Sequence, residues 1–212
     1  MDNLLIFGAS GQTGQKVVLQ VLEKGYAVTV VLRTPGLFKI EHPRLTLIKG
    51  DVLDPSSYID YVRDCAAIIS CLGTGTNLGP TTVYSKGIEA ILSGMAKHNV
   101  SRLICLSAGA LEAYKEMGIV MNILTKVVLH RILKNVYDDM RQMESRVKAT
   151  DFDWTIIRPA RLTDGPLKKK YRTAIQGHVS RPWTISRADL AHYIITILND
   201  SRTFHAKVEI TY

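Results

Sequence analysis

The segment Leu4-Leu5-Ile6-Phe7-Gly8-Ala9-Ser10-Gly11-Gln12-Thr13-Gly14 constrains the fold of this 212-residue chain more than any other. An apolar run enters a glycine-punctuated turn, and Val17, Val18, Val21 and Leu22 then recur at helical spacing. Strand, glycine loop and helix in that order make a cradle for a pyrophosphate. Gly8 allows the tight turn. Gly11 lets the backbone approach the phosphates, where a Cβ would clash, and Gly14 lets the helix pack against the strand. The N–H groups and dipole of the helix start then face the anion. The spacing is G-x-x-G-x-x-G, not the commoner G-x-G-x-x-G. Either pattern is weak alone, and the strand before it and helix after it supply the context it needs.

The rest of the chain repeats this alternation. Ala27–Leu32, Leu45–Ile48, Ala66–Cys71, Leu103–Leu106 and Trp154–Ile157 read as strands, apolar enough to be covered on both faces. Lys207–Ile210 adds a last strand. Asp54-Pro55 reads as a cap followed by proline at the first helical position, opening a short helix through Tyr58 to Val62. Helices are expected from about Thr82 to His98, from Gly118 to Lys134, from Tyr137 to Thr150, and from a Ser186–Asp189 capping box to about Leu198. The Gly118–Lys134 helix has a broad apolar face that suits packing on the core. A flap over a pocket, a dimer contact and a membrane-surface helix are its other uses.

Such alternation predicts the α/β class: a Rossmann-like, doubly wound parallel sheet in a single domain over 1–212, with substrate loops at about 108–135 and 160–185. Right-handed crossovers would bring the strand-end loops to one edge, where ligands bind. Those loops are Gly8–Gly14, Arg33–Pro35, Asp51-Val52, Leu72–Thr74, Ser107-Ala108 and Pro159–Arg161.

The second strand carries the cofactor preference. In NAD sites a carboxylate about 20 residues past the glycines bonds the ribose 2′-hydroxyl. Here that place holds Leu32-Arg33-Thr34. Arg33 would pair with a 2′-phosphate through its planar fork and Thr34 would add a hydrogen bond, which predicts NADP. The alternative is a surface arginine that merely follows a strand.

The formal net charge of +8 favours anionic partners or simply aids solubility. Lys168, Lys169 and Lys170 sit beside Gly165-Pro166 and read as a solvated loop. No aromatic–basic interleaving marks a single-strand groove, so a nucleic-acid partner is not expected. No apolar run reaches the roughly 18 residues of a membrane span. Asp2-Asn3 lead straight into the first strand without a signal-peptide pattern. A cytoplasmic protein without a membrane partner, monomeric or weakly dimeric, is therefore expected. Cys65, Cys71 and Cys105 form no C-x-x-C pair, and no metal site is expected from them.

Gly8-Ala9-Ser10-Gly11-Gln12-Thr13-Gly14, Gly50-Asp51-Val52, Leu72-Gly73-Thr74 and Trp154-Thr155-Ile156-Ile157-Arg158-Pro159 resemble the atypical short-chain dehydrogenases of the NAD(P)H-binding, NmrA-like group. Leu78–Val83 and Cys105-Leu106-Ser107-Ala108 are similar to its NADPH-dependent flavin reductases, of the biliverdin reductase B type. The likeness covers most of the chain and is weak between about Leu111 and Met140. The resemblance implies that Ser10, Gly11, Gln12 and Thr13 hold the pyrophosphate and Arg33 the 2′-phosphate. Asp51 and Val52 would contact adenine, and Leu72, Gly73 and Thr74 would line the ribose path. Cys105, Ser107 and Pro159 would flank the nicotinamide. Where the flavin reductases carry a histidine this chain has Arg161, which cannot donate a proton near neutral pH but would anchor a phosphate or carboxylate.

No tyrosine in the chain has lysine four residues later, the pair many short-chain dehydrogenases use to protonate a ketone product. Tyr137 and Arg141 come nearest, and an exposed helix pair explains them as well. Tyr84 either faces the pocket or packs. A flavin or quinone acceptor needs less, because its reduced form takes protons from solvent and the protein mainly aligns two rings. Ser107 would orient one of them, or cap its own turn. Two functions follow: an NADPH-dependent oxidoreductase passing hydride to a flavin, quinone or similar planar acceptor, and a non-catalytic NADP(H) sensor of NmrA type that docks through Ile119–Leu133. A nucleic-acid binder rests on charge alone.

Overall fold

The expected strands lie side by side in the computed structural model, which describes residues 2–111 and 133–212. In chain order the elements are β1 Asn3–Phe7, α1 Gln12–Glu23, β2 Ala27–Leu32, β3 Leu45–Lys49, α2 Ile59–Val62, β4 Ala67–Ser70, α3 Val83–His98 and β5 Arg102–Leu106. Beyond the segment not described come α4 Lys134–Lys148, β6 Asp153–Pro159, β7 Arg161–Thr163, β8 Arg172–Ile175, β9 Thr184–Ser186, α5 Arg187–Thr196 and β10 Ala206–Thr211. The main sheet has the order β3-β2-β1-β4-β5-β6-β10-β8. Every pairing in it is parallel except the last, where β8 runs antiparallel along β10. The order reverses between β1 and β4, the switch point at which such sheets open a crevice at the carboxyl ends.

Strand periodicity sorts the core into two layers. Leu4 and Ile6 of β1, Val28 and Val30 of β2 and Val208 and Ile210 of β10 face a cluster completed by Val17, Val18 and Val21 of α1 and Leu190 and Ile194 of α5. Leu5 and Phe7, Ile68 of β4, Leu103 of β5 and Ile156 of β6 face the other layer, with Ile88, Ile91 and Met95 of α3 and Met143 and Val147 of α4. Each fully buried side chain of this size contributes about 1.5–3 kcal/mol relative to exposure. The three cysteines are buried and reduced.

Local signals act where expected. The Asp54 carboxylate accepts the Ser56 N–H at the start of a 3-10 turn that leads into α2. The Ser186 hydroxyl accepts the Asp189 N–H and so caps α5, but Asp189 does not reach back to the Ser186 N–H, which donates to Tyr212 instead. The Asp189 carboxylate accepts the Lys168 and Lys169 N–H groups and the hydroxyls of Ser186 and Tyr212. Lys168, Lys169 and Lys170 are exposed, yet this carboxylate ties the backbone of the first two to α5.

Three features differ from expectation. The 160–185 segment, expected as a loop, carries β7, β8 and β9, and β7 pairs with β9 in a small parallel sheet of its own. β7 and β9 have three residues each and β8 is largely exposed, so no alternating pattern marks them. The sheet is therefore mixed at its β8 edge. The second long helix starts at Lys134, before Tyr137. The Gly118–Lys134 helix lies outside the described residues except at Leu133 and Lys134. No described helix is long and apolar enough to cross a membrane.

Candidate functional site

The glycine loop sits at the switch point. Gly8 has φ +73°, and a Cβ built on it would stand 2.2 Å from the Cys71 carbonyl oxygen at the end of β4. A Cβ on Gly14 would stand 2.2 Å from the Gly8 oxygen and 2.7 Å from the Ala9 Cα. Real Cβ atoms do not approach backbone this closely, so both glycines are required by the fold. Gly11 differs: its Cβ would meet only the Gly8 oxygen, at 3.3 Å. Its backbone lies against open space at the start of α1, no side chain caps the helix, and Ser10, Gly11 and Gln12 are exposed. An open helix start behind a glycine is the cradle a pyrophosphate needs, so the residues present fit a dinucleotide. Thr13 is half-buried in the first turn, and the Gln15 side chain donates to the Ser10 carbonyl at 3.0 Å.

The next strand ends continue along the same edge. Arg33 and Thr34 follow β2 and are exposed. The Asp51 carboxylate accepts the Leu53 N–H at 3.0 Å, and the Val52 carbonyl accepts the buried Tyr58 hydroxyl at 3.1 Å. Val52 and Leu72 both lie over Gly87 of α3, where any side chain would push them off. Gly73 and Thr74 follow β4. The Tyr84 hydroxyl interacts with Thr74 from beneath, and Tyr84 is buried, so it supports this loop.

Ser107 closes β5. It is buried, and its hydroxyl donates to Glu144 Oε1 at 2.7 Å. Arg158 grips the same carboxylate with two bonds, Nε to Oε1 at 2.8 Å and Nη2 to Oε2 at 2.6 Å. Lys148 Nζ approaches Oε2 at 3.2 Å from the surface. Burial alone would raise the Glu144 carboxyl, but hydrogen bonds from Arg158 and Ser107 and the charges of Arg158 and Lys148 outweigh it and hold the group below its ordinary value. Glu144 is thus an ionised acceptor, and Ser107 spends its only proton on it. A small cavity of about 310 Å³ opens beside this cluster, lined by Leu111, Arg141, Glu144, Ser145, Lys148 and Arg158.

Cys105 is the last residue but one of β5 and pairs with Ser70, where β4 ends. It is fully buried inside β5 in the layer under α3 and α4, and burial pushes its thiol far up. Pro159 is buried at the end of β6. Arg161 begins β7 and is exposed at the same edge. Tyr137 is buried, burial raises its hydroxyl, and Arg141 bonds Asp138 at 2.8 Å on the exposed face of α4. The Arg141 charge also acts on the Tyr137 hydroxyl, in the lowering direction, and burial outweighs it.

Sequence reasoning assigned no role to Glu144, Arg158 or Asp139. Asp139 is buried, and its carboxylate accepts the Tyr84 and Ser85 N–H groups at 2.9 and 3.2 Å, capping α3 from α4. A signal existed: Asp139 and Glu144 fall on the same stripe of α4 as Val136, Met143 and Val147, where an unpaired carboxylate would be costly. Among the described residues no group of His, Cys, Asp or Glu is placed to hold a metal ion.

Comparisons with known proteins agree with this geometry. A family model described as NAD(P)H-binding matches residues 8–201. An uncharacterised chloroplastic protein of Arabidopsis thaliana is 25% identical over 84% of this chain and 67% of its own length. An oxidoreductase of Pestalotiopsis microspora is 21% identical over 73% of this chain and 63% of its own, so the chain spans about two thirds of these relatives. Among solved structures, a short-chain dehydrogenase/reductase from Veillonella parvula in complex with NADP superposes with a TM-score of 0.82 at 19% identity, covering 100% of this chain and 94% of that one. ChuY, an anaerobillin reductase from Escherichia coli O157:H7, gives 0.72 at 19% identity, covering 99% and 96%. At these identities the structures speak for the fold. With the family match across most of its length, the chain belongs to the NAD(P)H-binding family.

Proposed function

We propose that this protein is an NADPH-dependent reductase that passes hydride to a flavin, quinone or similar planar acceptor. The observation that carries the reading is the Ser107–Glu144–Arg158 cluster at the end of β5 and β6. A serine whose proton is committed to an ionised, doubly gripped carboxylate presents only lone pairs outward. It can receive a hydrogen bond from an amide or ring N–H and so orient a ring, but it is a poor acid. With no Tyr-x-x-x-Lys pair in the chain, such a site suits an acceptor that takes its protons from water.

NADPH, when bound, would supply the hydride. Gly11, Gln12 and Thr13 would receive its pyrophosphate at the start of α1, and Arg33 and Thr34 its 2′-phosphate. Asp51 and Val52 would face the adenine, with Leu72, Gly73 and Thr74 along the ribose. Tyr84 and Asp139 hold the loop after β4 from below, so that wall is preorganised rather than assembled on binding.

The cofactor preference is tested by binding NADPH and NADH to the wild type and to Arg33→Ala. Loss of a charge-assisted contact of about 1.5–3 kcal/mol would weaken NADPH roughly tenfold or more and leave NADH unchanged. Equal affinity of the wild type for both would contradict the preference. The sensor alternative needs a docking face at Ile119–Leu133, which lies almost wholly outside the described residues. Binding without turnover would select it.

A further inference from the structure

A cavity of about 750 Å³ opens at the amino edge of the sheet, away from the site described above. Its lining comes from the last turn of α1, from α5, and from Asp2 and Tyr26, which precede β1 and β2. At 1.5 Å per residue, Glu23 stands about 16 Å along α1 from Gln12 and the glycine loop. The volume is within the roughly 300–1,000 Å³ of small-molecule sites.

Three side chains of the lining act on one another. Lys24 closes α1, His192 belongs to α5, and Lys169 comes from the segment before β8. That segment is held in place: the Lys169 N–H donates to the buried Asp189 carboxylate at 2.6 Å, and Lys169 has φ +56°, uncommon for a residue with a Cβ. Burial, then the Lys169 charge and, less, that of Lys24 lower the His192 imidazole below its ordinary value, while the Asp189 charge acts the other way. Among the described residues neither lysine is in an ion pair. The Tyr171 hydroxyl, kept protonated by burial and by the Asp189 charge, donates to His192 Nδ1 at 2.8 Å. The neutral ring then carries its proton on Nε2. Tyr171 does not line the cavity, so Nε2 is the nitrogen that opens on it.

Two unpaired ammonium groups and an N–H donor around one cavity suit an anion. The rest of the lining limits what else the ligand carries. Tyr26, Leu167 and Ile195 add apolar surface. Asp2 and Glu23 line the same cavity, act on His192 less than the lysines do, and oppose a second negative group. We propose that this cavity is a second ligand site, for a small organic monoanion: a carboxylate on an apolar body. Lys24, Lys169 and His192 hold the carboxylate, and Tyr26, Leu167 and Ile195 take the body. The site does not rest on the reductase reading.

The experiment follows the His192 imidazole by NMR across its titration, its signal assigned by loss in His192→Gln. The probes are benzoate, which stays ionised throughout, and its neutral isostere benzamide, each with and without saturating NADP. A bound anion favours the imidazolium, so benzoate should raise the His192 pKa by about one unit, equivalent to about tenfold tighter binding below the titration than above it. Benzamide should not raise it. NADP should leave the benzoate effect unchanged. The double variant Lys24→Gln, Lys169→Gln removes two exposed charges and should keep its melting temperature. In it the free imidazole titrates higher than in the wild type, and benzoate binds about tenfold more weakly. A titration that benzoate leaves in place, or that benzamide shifts equally, overturns the site. So does benzoate bound as tightly by the double variant as by the wild type. A benzoate effect abolished by NADP belongs to the dinucleotide cradle and overturns it too.

Discussion

Among the described residues two arginines are buried, one at each end of the sheet, and they are satisfied in opposite ways. Arg102 opens β5 at the amino edge. It donates to the Ile197 and Leu198 carbonyls at the end of α5, to the Asp153 carbonyl at 2.6 Å and to Thr155 Oγ1, and its guanidinium lies 4.7 Å from the Phe204 ring centroid. Every one of these hydrogen-bond partners is neutral, and burial lowers the guanidinium to about 10. Arg158 ends β6 at the carboxyl edge and grips a carboxylate that also takes the Ser107 proton. At the amino edge a charge is used to fasten a helix end to the sheet. At the carboxyl edge a charge pair is used to fix which way a hydroxyl points. The fold invests in stability at one end and in orientation at the other, as expected where the dinucleotide binds at the carboxyl ends of the strands.

The sharpest way to break this comparison is to replace each arginine. Arg158→Leu leaves Glu144 buried without its main partner, which costs about 3–5 kcal/mol. Arg102→Leu strands carbonyls at about 1–3 kcal/mol each. Both variants should lose tens of per cent of the denaturant midpoint. Below their melting temperatures, only Arg158→Leu should also lower kcat/KM with FMN. An equal kinetic defect in Arg102→Leu would erase the distinction.

A second pair of variants separates fold from site inside one loop. Gly14→Ala puts a methyl into backbone at 2.2 Å and should destabilise by about 1–3 kcal/mol or more. Gly11→Ala meets only one atom, at 3.3 Å. It should keep its melting temperature and lose NADPH affinity, as measured by fluorescence titration.

The pH dependence follows from Glu144. Its folded value lies below the ordinary one, so its contribution is complete above the unfolded pKa of about 4.3 and is lost as pH falls through the folded value. Thermal melts of the wild type should therefore drop on acidification below that point, and Glu144→Gln should show a flatter acid limb from a lower plateau. Smallest is the effect on thiol chemistry. Burial lifts Cys71 and Cys65 to about 12 and Cys105 beyond, so none should react with a thiol reagent until the protein unfolds.

What the sequence made legible shares a cause. The seven parallel strand segments and the glycine loop are local patterns, written in runs such as Leu4–Phe7 and Ala27–Leu32, and the alternation of elements then dictates one edge for Gly11, Arg33, Asp51, Thr74, Ser107 and Arg161. What stayed hidden depends on pairing across distance. Glu144 meets Ser107 from 37 residues away and Arg158 from 14, and neither spacing is a motif. Cys105 shares a layer with Leu103, as strand periodicity directs.

The central claim is tested most directly by NADPH consumption of the purified protein with FMN, riboflavin and a simple quinone, run beside NADH. The account predicts fast turnover with NADPH on at least one of these acceptors and slow turnover with NADH. Tight NADPH binding with no turnover on any of them would contradict it.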